Sequence, residues 1–245
     1  MKGLIVFCLV SLLMTGINPI QANADWENYK GVWQYQYSDG SYPKNCWGKI
    51  GGKWYYFDEF GYLCTDKIVP GYYYVNSEGE WSNPPIEVQH YIEVLKDKSL
   101  LKSKYNFNIA DVNSTKTQVA RIIDINDDGV YEAIVDNKTC HANEKASILQ
   151  YKDGQVRLMG EVGYNVYKVP GQNIIVAFSF FTSYELGSVY EVDNDKINKI
   201  HTYESSTFFN KYKIDESSVS QEQFNEFMNN YDPGDIRIYT CYYPN

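Results

Sequence analysis

Gly51-Gly52-Lys53-Trp54-Tyr55-Tyr56-Phe57-Asp58-Glu59-Phe60-Gly61-Tyr62-Leu63 is the stretch that decides the fold. Side chains alternate along an extended chain, so Trp54 and Tyr56 share one face of a strand. Gly61 follows where a tight turn needs a positive φ, a conformation that glycine adopts without steric cost. The pattern recurs on both sides, as Trp33-Gln34-Tyr35-Gln36-Tyr37-Ser38-Asp39-Gly40 and as Tyr72-Tyr73-Tyr74-Val75-Asn76-Ser77-Glu78-Gly79. In each copy an aromatic stands seven residues before a glycine, and the glycines are spaced by 21 and then 18 residues. That period is one hairpin of chain, so each unit reads as strand, turn, strand. A lone hairpin is marginal in water, whereas stacked hairpins bury their aromatic faces, which predicts a hairpin array, a short β-solenoid. About three units is the minimum for such an array. Because the third unit is short, the following domain or a partner chain is expected to cap it.

With Ser38-Asp39-Gly40-Ser41-Tyr42 and Trp47, this stretch resembles the cell-wall-binding repeats of choline-binding and glucan-binding surface proteins of Gram-positive bacteria, over residues 31–81. The resemblance implies aromatic residues forming shallow cages on the array. Ring faces attract a quaternary ammonium group such as choline on teichoic acid, and the same rings can stack on the sugars of a glucan. On the matching positions it implies ligand contacts from Trp47 and Trp54, with Tyr56 and Tyr74 as third walls. The competing reading of these aromatics is packing between hairpins. One departure stands out: Ile68 follows Gly61 at the spacing by which Trp47 follows Gly40, which removes a wall of the next cage. An array with one or two sites adheres loosely unless the protein oligomerises.

Around the array the chain divides cleanly. Met1-Lys2-Gly3 and the apolar run Leu4–Met14, closed by Ala22-Asn23-Ala24, read as a signal peptide over residues 1–24, an export tag rather than a transmembrane anchor. The mature chain is then secreted and associated with the wall. Every tryptophan (26, 33, 47, 54 and 81) precedes Ser82, and Ser82-Asn83-Pro84-Pro85 is a linker by composition. The repeats therefore occupy residues 25–81, and a second domain occupies 86–245. A net charge of −9 disfavours nucleic acid as a partner. Outside the cytoplasm Cys46 could pair with Cys64 and Cys140 with Cys241, or some could be buried free thiols.

The second domain reads as α+β with an antiparallel sheet. Val88, Tyr91, Ile92 and Leu95 recur at helical spacing, and Ser220 with Gln223 forms a capping box ahead of Phe224, Phe227, Met228 and Tyr231. Strand-like runs lie between: Gln118–Ile123, Val130–Val135, Ser147–Tyr151, Gln155–Met159, Ile174–Phe181, Ser188–Val192 and Ile197–Tyr203. Asp153-Gly154 is a hairpin turn.

One loop carries chemistry. Asp124-Ile125-Asn126-Asp127-Asp128-Gly129, with Glu132 three residues on, places oxygen ligands as in the first half of a calcium loop, so Asp124, Asn126, Asp128 and Glu132 are candidate calcium ligands. The alternative is a plain polar turn. Cys140-His141, with His90 and His201, does not resolve into a nucleophile and a base, and no hydrolase elbow or zinc motif is present. The sequence therefore points to a non-catalytic module that binds a ligand or partner. The alternative is a wall-targeted hydrolase whose catalytic domain carries no recognisable motif.

Overall fold

A computed structural model describes residues 24–29, 31–105, 120–137, 145–163, 165–181 and 183–232. The expected signal peptide up to residue 23, and Cys140, His141 and Cys241, lie outside the described residues.

The aromatic half forms three antiparallel hairpins: β1 (Asp25–Tyr29) with β2 (Val32–Gln36), β3 (Cys46–Ile50) with β4 (Lys53–Phe57), and β5 (Lys67–Val69) with β6 (Tyr73–Val75). Their own turns lie at Gly31, at Gly51-Gly52 and at Gly71, all with positive φ. The periodic glycines Gly40, Gly61 and Gly79 instead occupy the connection that follows each hairpin, which corrects the expected register by one strand. Three equivalent turns result. The amide of Tyr37, Asp58 or Asn76 donates to the carbonyl four residues on, and the glycine amide donates back. In two of them the Asp58 or Asn76 side chain also accepts two backbone amides, the ordinary behaviour of such residues in turns.

In the corrected register Trp26, Trp47 and Ile68 are each the second residue of a hairpin, 21 residues apart, and face Tyr35, Tyr56 and Tyr74 across the ladder. Backbone hydrogen bonds tie the first and second hairpins to chain beyond the next one. Leu63 N donates to Trp33 O and Trp81 N to Trp54 O, both at 2.8 Å.

The second half begins with α1 (Ile86–Lys96) and α2 (Lys98–Tyr105), the latter not anticipated, because Lys, Ser and Leu there give a weak apolar stripe. Strands β7 (Ala120–Ile123), β8 (Glu132–Asn137), β9 (Lys145–Lys152) and β10 (Gln155–Gly163) follow. Then come β11 (Asn165–Lys168), β12 (Ile174–Phe180), β13 (Glu185–Asp193), β14 (Lys196–Ser206), β15 (Lys211–Ile214) and β16 (Ser217–Ser218), and α3 (Gln221–Asn229) with the expected Ser220/Gln223 capping box. Every pairing among the described strands is antiparallel.

These strands form two six-stranded sheets rather than one: β10-β9-β8-β7-β5-β6 and β11-β12-β13-β14-β15-β16. Both are covered on two faces, which explains continuous apolar runs such as Ile174–Phe178. Odd-numbered Val135 and Leu149 pack with Tyr91 and Leu95 of α1. Even-numbered Ile134 and Ile148 meet Ile175 and Tyr190 of the other sheet. On the far side Val176, Phe178 and Tyr203 pack with Phe224 of α3. The layers run helix, sheet, sheet, helix.

The first sheet crosses the linker. Lys67 and Ile68 of the third hairpin pair with Arg121 and Ala120 of β7, so the second half itself caps the array. Ile68 is wholly buried and belongs to the core under α1. No helix among the described residues is long and apolar enough to cross a membrane.

Candidate functional site

Of the four aromatics singled out in the repeats, two are closed to ligands. Tyr56 is 7% and Tyr74 is 5% exposed, because Tyr56 packs with Cys64, Val69 and Val75, and Tyr74 lies with Ile68 in the core under α1. Packing is what they do. The open rings beside Trp47 belong to Tyr73, on the outer face of β6, and to Trp81, 47% and 54% exposed. Trp47 and Tyr73 stand at 89° with centroids 5.7 Å apart, and Tyr73 and Trp81 at 87° with centroids 6.2 Å apart. Three rings from separate parts of the chain thus stand at right angles to their neighbours. Trp81 is held there by its bond to Trp54 O and by its bridge to Val75.

Trp54 is exposed, but the Lys49 ammonium lies 5.8 Å from its ring centroid, so an internal cation already faces it. One hairpin earlier the arrangement is repeated with different ends. Trp26 meets Tyr55 at 5.0 Å and 71°, as Trp47 meets Tyr73. Leu63 stands where the later copy has Trp81, and Phe57 stacks against Trp26 at 6.0 Å. Among the described residues the later copy combines three aromatic walls, two of them exposed and the third, Trp47, half-buried on the cluster of Tyr56, Cys64, Val69 and Val75.

Residues 41–81 match the family model of the choline-binding repeat. The choline-binding repeat segment thus includes Trp47, Tyr73 and Trp81. No curated protein matches the chain at a significant level. Among solved structures the chain is similar to the choline binding domain of Spr1274 in Streptococcus pneumoniae, at 28% identity over 27% of this chain and 100% of that one, with a TM-score of 0.16. It is also similar to the modular Cpl-1 endolysin complexed with a peptidoglycan analogue, at 18% identity over 56% of this chain and 35% of that one, TM-score 0.25. The multimodular pneumococcal cell wall endolysin from phage Cp-1 complexed with choline gives 18% identity, 56% and 35% coverage and a TM-score of 0.24. The chain spans about a third of the endolysin's length. Superpositions this loose carry no argument, and the assignment of the repeat rests on the match of residues 41–81.

Outside the choline-binding repeat, the loop expected to bind calcium closes on itself. Asp124 Oδ1 and Oδ2 accept from the amides of Asp128 and Gly129, and Asp128 accepts from the Asn126 side chain and from Val130 N. The Lys168 ammonium contacts Asp127 and the Asp124 carbonyl. Glu132 is wholly buried beneath the loop, where its Oε2 accepts from Ile125 N at 3.0 Å. Among the described residues no three His, Cys, Asp or Glu side chains converge on a point suited to a metal ion. In this conformation Asp124, Asn126, Asp128 and Glu132 therefore do not form one cradle.

Burial is the main cause that lifts the Glu132 carboxyl to a pKa of about 7, with Asp128 and Asp124 adding to it and Ile125 N and Gln150 opposing. Cys46 and Cys64 are free thiols, so the expected pairing between them is not formed. Cys64 is packed among Tyr56, Val69 and Val75, and burial pushes its thiol up to about 11. His201 Nδ1 lies 2.6 Å from Asp215 and its ring packs on Phe227, while His90 stacks on Tyr151; these contacts orient both rings without supplying a nucleophile.

Proposed function

We propose that the protein is a secreted, wall-associated binding protein that docks on choline-substituted teichoic acid through Trp47, Tyr73 and Trp81. The observation that carries this reading is the orthogonal arrangement of two exposed rings, Tyr73 and Trp81, with the half-buried Trp47 inside the repeat. A trimethylammonium group presents a diffuse positive charge on an apolar surface, so ring faces on several sides satisfy it better than one flat stacking platform. A glucan would favour the flat platform. The position of Lys49 over Trp54 supports the same electrostatic sense in neighbouring rings.

On this reading the hairpins stack as a short solenoid, tied by the Leu63–Trp33 and Trp81–Trp54 hydrogen bonds. The second half ends the stack and serves as a non-catalytic binding module. A single strong cage gives loose, reversible attachment, strengthened only by multivalent display.

Retention on a choline-bearing resin, with elution by free choline, tests the proposal. Wild type is retained, and Trp47→Ala, Tyr73→Ala and Trp81→Ala each weaken retention. Equal retention of all three variants, or none by folded wild type, refutes it.

A further inference from the structure

Lys49 stands on the same face of the array as the ring cage. It pairs with Trp54 across the β3–β4 ladder. Tyr55 bridges Glu80, so Trp54 is in turn opposite Trp81, and the Trp81 amide donates to Trp54 O at 2.8 Å. Residues opposite one another in an antiparallel ladder point to one face, as do residues two apart along a strand. Lys49, Trp54 and Trp81 thus form one row across neighbouring strands. Trp47 lies on the same side, about 7 Å from Lys49 along β3. The Lys49 ammonium is 5.8 Å from the Trp54 ring centroid, so its charge sits over the ring that neighbours Trp81 in the row.

That charge is not met from within the array. Glu80, the neighbour of Trp81, points to the opposite face with Tyr55, where the Lys53 ammonium contacts it. Lys49 itself is exposed, and among the described residues no carboxylate pairs with it. Like charges a few ångströms apart oppose one another, so Lys49 works against a ligand that is only a cation. It works in favour of a ligand whose cation carries an anion a few bonds away. Lys49 and Trp81 are two strand spacings apart, about 10 Å, so that anion has to stand off from the caged ammonium. A carboxylate one carbon from the nitrogen stays among the rings. A phosphate beyond the two-carbon link of choline reaches past them, and a lysine ammonium meets phosphate as a compact point charge with three donors.

We infer that Lys49 forms an anion subsite beside the cage, and that the ligand is a zwitterion: a trimethylammonium group among Trp47, Tyr73 and Trp81, with a phosphate ester extending over Trp54 to the Lys49 ammonium. The subsite rests on the reading of the three rings as a choline cage and specifies what the choline must carry. Lys49 then sets specificity, and the rings supply the grip.

Calorimetric titration of the intact protein with choline, trimethylglycine, phosphorylcholine and glycerophosphorylcholine, at low and at high salt, tests the subsite. Both phosphate esters are expected to bind more tightly than choline at low salt, by about threefold, the size of an exposed ion pair. The advantage shrinks as salt screens it, and trimethylglycine shows none. In Lys49→Gln, a change at an exposed position, the advantage is lost, whereas Trp81→Ala weakens every ligand. Equal affinity of folded wild type for choline and both phosphate esters, or an advantage that persists in Lys49→Gln, overturns the subsite and leaves the choline cage standing. An equal advantage for trimethylglycine overturns the phosphate assignment. Failure of folded wild type to bind any of the four overturns both the subsite and the cage.

Discussion

Trp47 and Ile68 hold the same place in successive hairpins, second residue of β3 and of β5, yet Trp47 meets an exposed ring while Ile68 is wholly buried against β7 and α1. The aliphatic residue is therefore what lets the array join the second half. Ile68→Trp restores the repeat pattern but forces a larger ring into a filled core. We expect a loss of about 1–3 kcal/mol in denaturant unfolding, the usual cost of overpacking, and no second choline site. Undiminished stability with added choline capacity contradicts this.

Glu132 makes stability depend on pH. Its folded-state pKa of about 7 lies above the ordinary value of 4.5, so the folded chain holds this proton through a range in which the unfolded chain has released it. The contribution is present below about pH 4.5 and is lost as pH rises to about 7, on the order of 3 kcal/mol in all. Glu132→Gln keeps an acceptor for Ile125 N and removes the charge. Unfolding curves at about pH 5 and about pH 8 should show a smaller pH dependence in the variant, with the variant more stable at the higher pH. Identical pH dependence in both proteins contradicts the assignment.

Cys64 should resist alkylation. It is buried and its thiol is held at about 11, whereas Cys46 is only half-buried. Peptide-resolved labelling of native protein near pH 8 should modify Cys46 well before Cys64. The reverse order, or a Cys46–Cys64 disulfide in the purified protein, contradicts the packing.

Calcium should leave the thermal midpoint of chelator-treated protein unchanged. The Asp124 carboxylate is taken up by two backbone amides, Lys168 already brings a positive charge to the loop, and Glu132 is buried with one oxygen taken by the Ile125 amide. A saturable rise in midpoint, abolished by Asp128→Ala, contradicts this and requires the loop to rearrange around the ion.

What the sequence shows of the fold depends on periodicity. Strands such as Ile174–Phe180 were legible as apolar runs between turn residues, and the Ser220 capping box is a local signal that tertiary contacts do not disturb. β11 and β15 are four residues each, too short for alternation to register, and the division into two sheets is a long-range choice with no local mark. In the repeat, the resemblance put Tyr56 and Tyr74 forward; both turn inward, Tyr56 against Cys64, Val69 and Val75 and Tyr74 into the core under α1. The 21-residue interval from Trp26 to Trp47 to Ile68 was the signal that would have set the register and exposed Tyr73 instead.

Calorimetric titration of the intact protein with choline tests the central claim most directly. The arrangement of Trp47, Tyr73 and Trp81 predicts a saturable site that weakens at least about tenfold in Trp81→Ala. Absence of binding by folded wild type, or equal affinity in Trp81→Ala, contradicts it.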